Sequence, residues 1–278
     1  MFESRFKPLT PEHPEWGSVA LLPGDAETFG FGVADYQLGS CHDVVSCRPA
    51  FREAMAGWAA DNEVEVIVCS VAPEDRVSLA LLPTVDFTCY DYTYEIVQSR
   101  MQRTTFPESR VTVRLAKPDD QAEVERIAEQ VFHFGRYHAD PHVPRHLANE
   151  RYRKWMHNSF AGLNDKSRMY LAGNEDTVRG FCHVVLEGDS ARITIFAVDE
   201  PFQRGITSFG LTAGFLDDLK RRGTRRVTSK ISASNLGVLN LAAAFGFRCL
   251  APQAVYYWHA PGAAHLVTRE QVFALSTP

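Results

Sequence analysis

A strand end, a turn and a helix follow one another in residues 198–223, VDEPFQRGITSFGLTAGFLDDLKRRG. The N–H groups at the start of a helix lack partners within the helix and carry partial positive charge, so they attract anions. Glycine lets such a backbone approach a phosphate closely, and the turn before this helix contains Gly205. The stretch predicts an anion-binding turn, with a plain helix start as the alternative.

A second segment, FGRYHADPHVPRH at 134–146, concentrates histidines around Asp140. Its histidines are His138, His142 and His146. A spacing of four would place them on one face of a helix, which would be typical of a metal site. Because Pro141 and Pro144 interrupt a continuous helix, we predict no metal site here.

The same segment offers hydrogen-bonding groups for a polar small-molecule substrate. The candidate substrate-binding residues are Arg136, Tyr137, His138 and Asp140. Binding residues are frequent on loops that a rigid scaffold positions, and a structured surface loop is the alternative.

The elements that would position these residues are clearest in the C-terminal half. Hydrophobic periodicity predicts strands at 111–116, 168–173, 179–186, 190–198, 225–231 and 253–259, and helices at 118–133, 145–162, 208–222 and 235–245. The order β-α-α-β-β-β-α-β-α-β predicts the α/β class with a mixed sheet.

The N-terminal half repeats part of this pattern at an offset of 160 residues. The segment 65–87 aligns with 226–247, so that Asp75 falls on Asn235 and Phe87 on Phe247. We therefore predict a structural repeat, strand, helix and strand in each half. The polar segment 98–110 is the predicted linker between domains at 1–97 and 111–278.

Three stretches resemble the GNAT acyltransferase superfamily, and more closely the two-part dTDP-fucosamine acetyltransferase type of amino-sugar N-acetyltransferases. They are the segment 132–162, the strand ARITIFAV at 191–198 followed by FQRG, and the spacing from Asn235 to Gly246-Phe247. The resemblance implies a GNAT fold in the C-terminal half and a truncated GNAT-like N-terminal half. Because PEDR at 73–76 offers no glycine-bearing loop, we expect no cofactor in the N-terminal half.

The resemblance also implies that acetyl-CoA or another acyl-CoA binds beside the central strand. The implied cofactor-binding residues are Phe196, Ala197, Val198, Gln203, Arg204, Gly205, Ile206, Thr207, Ser208 and Asn235. Ile206 and Ser208 stand where the family has glycine and glycine or alanine. Since a β-branched residue adopts positive φ poorly, this departure favours two alternatives, an acyl donor carried by a carrier protein or a non-catalytic binding module.

The proton donor for the leaving thiolate is a second departure. Ala242 occupies the position of the tyrosine that many GNAT enzymes use. The candidate catalytic residues in its place are Tyr257, His259 and Asn240. The alternatives to a catalytic role are structural. Tyr257 would pack on the sheet, and His259 would be a surface histidine at the end of a strand.

Composition limits the class of protein. The 278 residues carry a net charge of −5, which argues against a general nucleic-acid binder. No apolar run is long enough to span a membrane, and the charged start lacks a signal-peptide core, so we expect a cytoplasmic location. The sequence predicts an acyl-CoA-dependent N-acyltransferase acting on a small amine, such as a nucleotide-linked amino sugar, by direct attack in a ternary complex. A homodimer is left open.

Overall fold

The computed structural model describes residues 6–39, 46, 48–174, 177–203, 205–263 and 266. It shows a mixed α/β fold with two compact units. The first unit comprises Met1–Thr93, Arg136–Leu147 and Ala251–Pro278, and the second comprises Tyr94–Gly135 and Ala148–Leu250. The division into domains at 1–97 and 111–278 remains a prediction from the sequence.

The first unit is built on a sheet with the strand order β1-β2-β3-β4-β11-β5. Its strands are β1 (Lys7–Pro8), β2 (Gly17–Leu21), β3 (Gly32–Leu38), β4 (Val64–Val71), β5 (Thr88–Gln98) and β11 (Arg248–His259), and its helices are α1 (Pro23–Phe29), α2 (Arg48–Asp61) and α3 (Arg76–Leu81). Strands β3 and β4 are parallel, while β11 runs antiparallel to β4. The last of the described strands, β11, is therefore an inner strand of this unit.

The second unit has the strand order β5-β10-β9-β8-β7-β6, with only the end of β5 included. Its elements are β6 (Val113–Leu115), α4 (Gln121–Val131), α5 (Arg145–Ala161), β7 (Ser167–Gly173), β8 (Val178–Glu187), β9 (Ser190–Val198), α6 (Thr207–Arg221), β10 (Arg226–Ser232) and α7 (Leu236–Ala244). Strands β6 to β9 are antiparallel neighbours, and β9 and β10 are parallel. The predicted order of elements is confirmed.

The predicted repeat is confirmed in the order and position of its elements. Helices α2 and α6 end at Asp61 and Arg221, and strands β5 and β11 begin at Thr88 and Arg248, each pair at the offset of 160 residues. In both units a helix connects two parallel strands, which is the crossover that parallel pairing requires. The expected strand near 65–71 is β4.

Each unit has its own apolar core. In the first, Phe51 and Met55 on α2 pack against Ile67 on β4 and Trp258 on β11. In the second, the stripe of Leu211, Phe215 and Leu219 on α6 packs on one face of the sheet, and α4 packs on the other. Such apolar stripes bury one face of each helix and fix the strand ends that follow.

Within the described ranges, none of the helices has the length and the apolar character needed to cross a lipid bilayer.

Candidate functional site

Strands β9 and β10 of the second unit separate part of the way along their length. Their ladder pairs Ser190–Arg192 with Arg226–Thr228. Beyond that point β9 continues to Val198 and β10 to Ser232. The hydroxyl of Ser229 donates to the carbonyl of Ile193 at 3.1 Å, at the start of the separation. The two strand ends therefore border a gap, along which the end of β9 has no ladder partner in β10.

The backbone direction of each residue at the end of β9 follows from its pairing with β8. The N–H of Asp199 donates to the carbonyl of Arg179 on the β8 side at 2.9 Å. Bonded and non-bonded residues alternate in an antiparallel ladder, so Ala197 also bonds to β8. The backbone N–H and C=O of Phe196 and Val198 then point away from β8, toward the gap. Of the three residues predicted to bind the donor through their backbone, Phe196 and Val198 therefore face the gap, and Ala197 faces β8.

The turn after β9 leads directly into α6. The amide of Gln203 donates from Nε2 to the carbonyl of Val198 at 3.0 Å, which ties the turn to the strand end. Gly205 is exposed, and Arg204 lies outside the described residues. Thr207 is the first residue of the helix and is buried.

The start of α6 presents backbone N–H groups without a side-chain cap. Ile206 is the N-cap residue, and its side chain has no acceptor atom. Its φ of −80° is helical, so the turn does not need the positive φ that a β-branched residue disfavours. The side chain of Ile206 is 55% exposed. Ile206 is therefore accommodated without backbone strain, and the first-turn amides, including that of Ser208, form a helix start that attracts anions and has no side-chain cap from the N-cap residue.

Helix α7 carries three of the residues considered from the sequence. Asn235 is its N-cap, and Oδ1 accepts a hydrogen bond from the N–H of Val238 at 3.2 Å. Ala242 is buried, which agrees with an aliphatic residue at that position. Asn240 is exposed on the same helix.

One polar cluster of the second unit was missed by sequence reasoning. His183 is buried on β8, with Nε2 2.8 Å from Oγ of Ser167 and Nδ1 2.7 Å from Oγ1 of Thr194. The β8–β9 register shifts at His183, where Thr194 is the extra residue of a β-bulge. Burial, aided by the charge of Arg192, lowers the pKa of His183 to about 4. Only the hairpin register brings Ser167, His183 and Thr194 together, and no local pattern marks it.

The predicted substrate-binding segment lies in the first unit and is tied to that unit by side-chain bonds. Nη1 of Arg136 donates to Oδ1 of Asp35 at 2.9 Å, and the hydroxyl of Tyr137 donates to Asp25. His138 is half-buried in the same turn. These contacts hold the segment in place as a structured loop.

Asp140 lies close to two histidines of the first unit. Its Oδ2 is 2.7 Å from Nε2 of His259, and its Oδ1 accepts the N–H of His142 at 3.0 Å. The rings of His142 and His259 are 4.4 Å apart between centroids. His146 is exposed at the start of α5. The structure thus joins His142 to His259 on β11, a partner that helical spacing within 134–146 does not indicate.

Tyr257 is fully buried on β11, where its hydroxyl donates to the backbone carbonyl of Arg136. Burial raises the pKa of Tyr257 well above its ordinary value. A buried hydroxyl that donates to a backbone group is the structural alternative considered for this residue. The predicted proton-transfer residues are divided between the units, with Tyr257 and His259 in the first and Asn240 in the second.

Comparisons with known proteins bear on the fold. No protein-family model matches the chain. The spore coat polysaccharide biosynthesis protein SpsD of Bacillus subtilis (strain 168) is 27% identical over 144 residues, which cover 51% of this chain and 48% of SpsD. The matched region spans about half the length of that relative.

Two solved structures resemble the chain over most of its length. A GCN5-related N-acetyltransferase from Sphaerobacter thermophilus has a TM-score of 0.63 and 13% identity, covering 89% of this chain and 78% of that one. A tandem GNAT protein from the clavulanic acid biosynthesis pathway has a TM-score of 0.55 and 14% identity, and the match covers 89% of this chain and 80% of that one. At these identities the likeness concerns architecture, and the chain has a mixed α/β fold that matches the fold of these GNAT proteins.

Proposed function

We propose that the protein is an acyl-CoA-dependent N-acyltransferase that acts on a small amine. The observation that carries the proposal is the separation of β9 from β10 beside the uncapped start of α6. An extended pantetheine arm with an anionic diphosphate at one end needs both features, backbone partners along a strand and N–H groups at a helix start.

The donor-binding roles follow from backbone direction. The N–H of Val198 and the backbone of Phe196 face the gap and are assigned to the amides and thioester carbonyl of the donor. The first-turn N–H groups of Thr207 and Ser208 are assigned to the diphosphate, and Arg204, Gln203 and Gly205 remain proposed members of this loop. The side chain of Asn235 already caps α7, so its proposed contribution is to hold the end of β10 and the start of α7 in place.

The reaction is a direct transfer in a ternary complex. The neutral amine attacks the thioester carbon and a C–N bond forms; the nitrogen gives up one proton to water, the C–S bond breaks, and the thiolate takes up a proton. The oxyanion would be held by a backbone N–H, which is worth several kcal/mol in comparable sites. Since Ala242 has no proton to give, we assign the thiolate's proton to water; Tyr257 and His259 stay sequence-based candidates.

An amino sugar linked to a nucleotide is the proposed class of acceptor. Its support is the resemblance of 132–162 to amino-sugar N-acetyltransferases, together with SpsD, a relative whose name places it in polysaccharide biosynthesis. Arg136, Tyr137, His138 and Asp140 are the proposed acceptor-binding residues; Arg136 and His138 are partly exposed, whereas Tyr137 and Asp140 are buried and would act by positioning the other two. Their bonds to Asp25, Asp35 and His259 would orient them for that role.

Isothermal titration with two donors tests the proposal. Acetyl-CoA carries the diphosphate and acetyl-pantetheine does not, so we expect acetyl-CoA to bind at least about tenfold more tightly, which corresponds to roughly 1.4 kcal/mol. Thiol release in the presence of a panel of nucleotide-linked amino sugars then identifies the acceptor. Equal binding of both donors would favour the carrier-protein alternative, and binding of neither would favour a non-catalytic module.

A further inference from the structure

Three side chains of the first unit converge at the end of β11. Asp140, His142 and His259 each offer a ligand atom, and these atoms all lie within 4.8 Å of one another. The carboxylate of Asp140 is inaccessible to solvent, and the side chain of His259 is 17% exposed. Two imidazoles and a buried carboxylate are a donor set that divalent transition metals use.

The backbone holds the three groups from two sides. On one side, the turn at Asp140 is closed by the bond from the N–H of His142 to Oδ1, which leaves Oδ2 directed at His259. On the other side, His259 pairs with Val66 on β4, and the following residue, Ala260, donates its N–H to Glu65. The ring positions therefore depend on a tight turn and on an inner strand.

A metal ion would fit after a small movement. Ligand atoms that bind one tetrahedral ion at about 2.0–2.2 Å lie roughly 3.4 Å apart, so a separation of up to 4.8 Å has to close by as much as about 1.4 Å. His142 sits in a turn and is half-buried, so we assign this movement to its ring rather than to the inner strand β11. The hydroxyl of Tyr90 lies 3.2 Å from Nε2 of His142 and can orient that ring as an outer partner.

We propose that Asp140, His142 and His259 bind a divalent transition metal ion of the zinc type. The ion ties the turn of Arg136–Leu147 to the end of β11 within the first unit. It adds positive charge beside the buried carboxylate of Asp140, which lies against His259. Three protein ligands leave a fourth position of a tetrahedral ion for water or a substrate atom.

Metal titration of the full chain tests the proposal. Tag-free protein, treated with chelator and dialysed, is titrated with ZnCl₂ by calorimetry and with CoCl₂ by visible absorption. We expect saturable binding of about one ion per chain and the intense visible bands of four-coordinate cobalt. The variants D140N, H142Q and H259Q should each weaken zinc binding by at least about 100-fold, and Y90F by about tenfold.

A matched histidine variant separates this site from general binding. H146Q changes an exposed histidine of the same segment and should bind zinc as the parent does. Circular dichroism of each variant establishes that it is folded, and zinc should raise the Tm of the parent and of H146Q but not of H259Q.

Three results would overturn the proposal. They are absence of saturable zinc binding in the parent, equal binding by parent and H259Q, and a thiolate-to-cobalt charge-transfer band, which would place the ion at a cysteine such as the exposed Cys249.

Discussion

Asp75 and Asn235, 160 residues apart, cap α3 and α7 with the same hydrogen bond. Oδ1 of Asp75 accepts the N–H of Ser78 at 3.0 Å, and Oδ1 of Asn235 accepts the N–H of Val238 at 3.2 Å. The hydrogen bonds from the hydroxyl and the N–H of Ser78 lower the pKa of Asp75. The repeat therefore extends from the order of elements to the hydrogen bonds that begin a helix.

Removing either cap should destabilise the chain by a similar amount. Asp75→Ala and Asn235→Ala should each lower the free energy of unfolding by about 1 kcal/mol, because a first-turn N–H loses its acceptor. Asn235→Asp keeps an acceptor and serves as the control, with a loss below about 0.5 kcal/mol. Urea unfolding measures all three. A loss in N235D equal to that in N235A would mean that the cap is not the cause.

The repeat also places left-handed residues at equivalent positions, Asp86 with φ 70° and Gly246 with φ 75°. A Cβ on Gly246 would lie 2.7 Å from Nε2 of Gln98, which donates to the carbonyl of Phe245. Gly246→Ala should therefore cost more than the roughly 1–2 kcal/mol of left-handed strain alone. Gly223, with φ 88° and open space around its Cβ position, provides the control.

Urea unfolding of G246A and G223A measures the difference between clash and strain. We expect G246A to be the less stable variant. Equal losses would show that Gln98 moves aside without cost.

Much of the fold was predictable because its signals are local. Periodicity marks α6 and β9, and turn residues such as Gly188 and Gly223 mark the ends of elements. The choice of strand partners is not local: no pattern in 248–259 indicates that β11 pairs with β4. For that reason the contact of Asp140 with His259 was not predicted, because helical spacing compares only residues within 134–146. The gap beside Val198 was implied by a resemblance rather than by periodicity.

Tyr257→Phe distinguishes a structural hydroxyl from a catalytic one. Removing the hydroxyl leaves the carbonyl of Arg136 without this hydrogen-bond donor, which should lower the free energy of unfolding by about 1–3 kcal/mol. Because the hydroxyl is buried and its pKa is raised, we expect the turnover number to change by less than about twofold, well below the 10²-fold effect of losing a general acid. Thermal unfolding and thiol-release kinetics of Y257F measure the two effects. A large fall in turnover with unchanged stability would restore Tyr257 as the acid.

His183 should make the stability of the second unit depend on pH. Its pKa is lowered from 6.5 to about 4, so the unfolded chain takes up this proton at a higher pH than the folded chain does. The contribution of neutral His183 to the free energy of unfolding is complete above pH 6.5 and is lost as the pH falls toward 4. The loss has an upper limit of about 3 kcal/mol. In His183→Gln, which keeps an amide for Ser167 or Thr194, unfolding free energy should fall less over this range. Parallel curves for parent and H183Q would exclude His183 as the source.

Ser208→Asp tests the anion site at the start of α6 without weakening the helix. A carboxylate in the first turn interacts favourably with the helix dipole, so the variant should be as stable as the parent or more stable, by about 0.3–1 kcal/mol. The same charge repels a diphosphate at the N–H groups of Thr207 and Ser208, and acetyl-CoA should bind at least about tenfold more weakly. Ser208→Asn, similar in size and neutral, controls for the loss of the hydroxyl. Calorimetric titration with acetyl-CoA and with acetyl-pantetheine separates the two ends of the donor, because only acetyl-CoA should respond to the charge. If S208D weakens both donors equally, or neither, the helix start does not hold the diphosphate and the acyl-CoA assignment loses its main support.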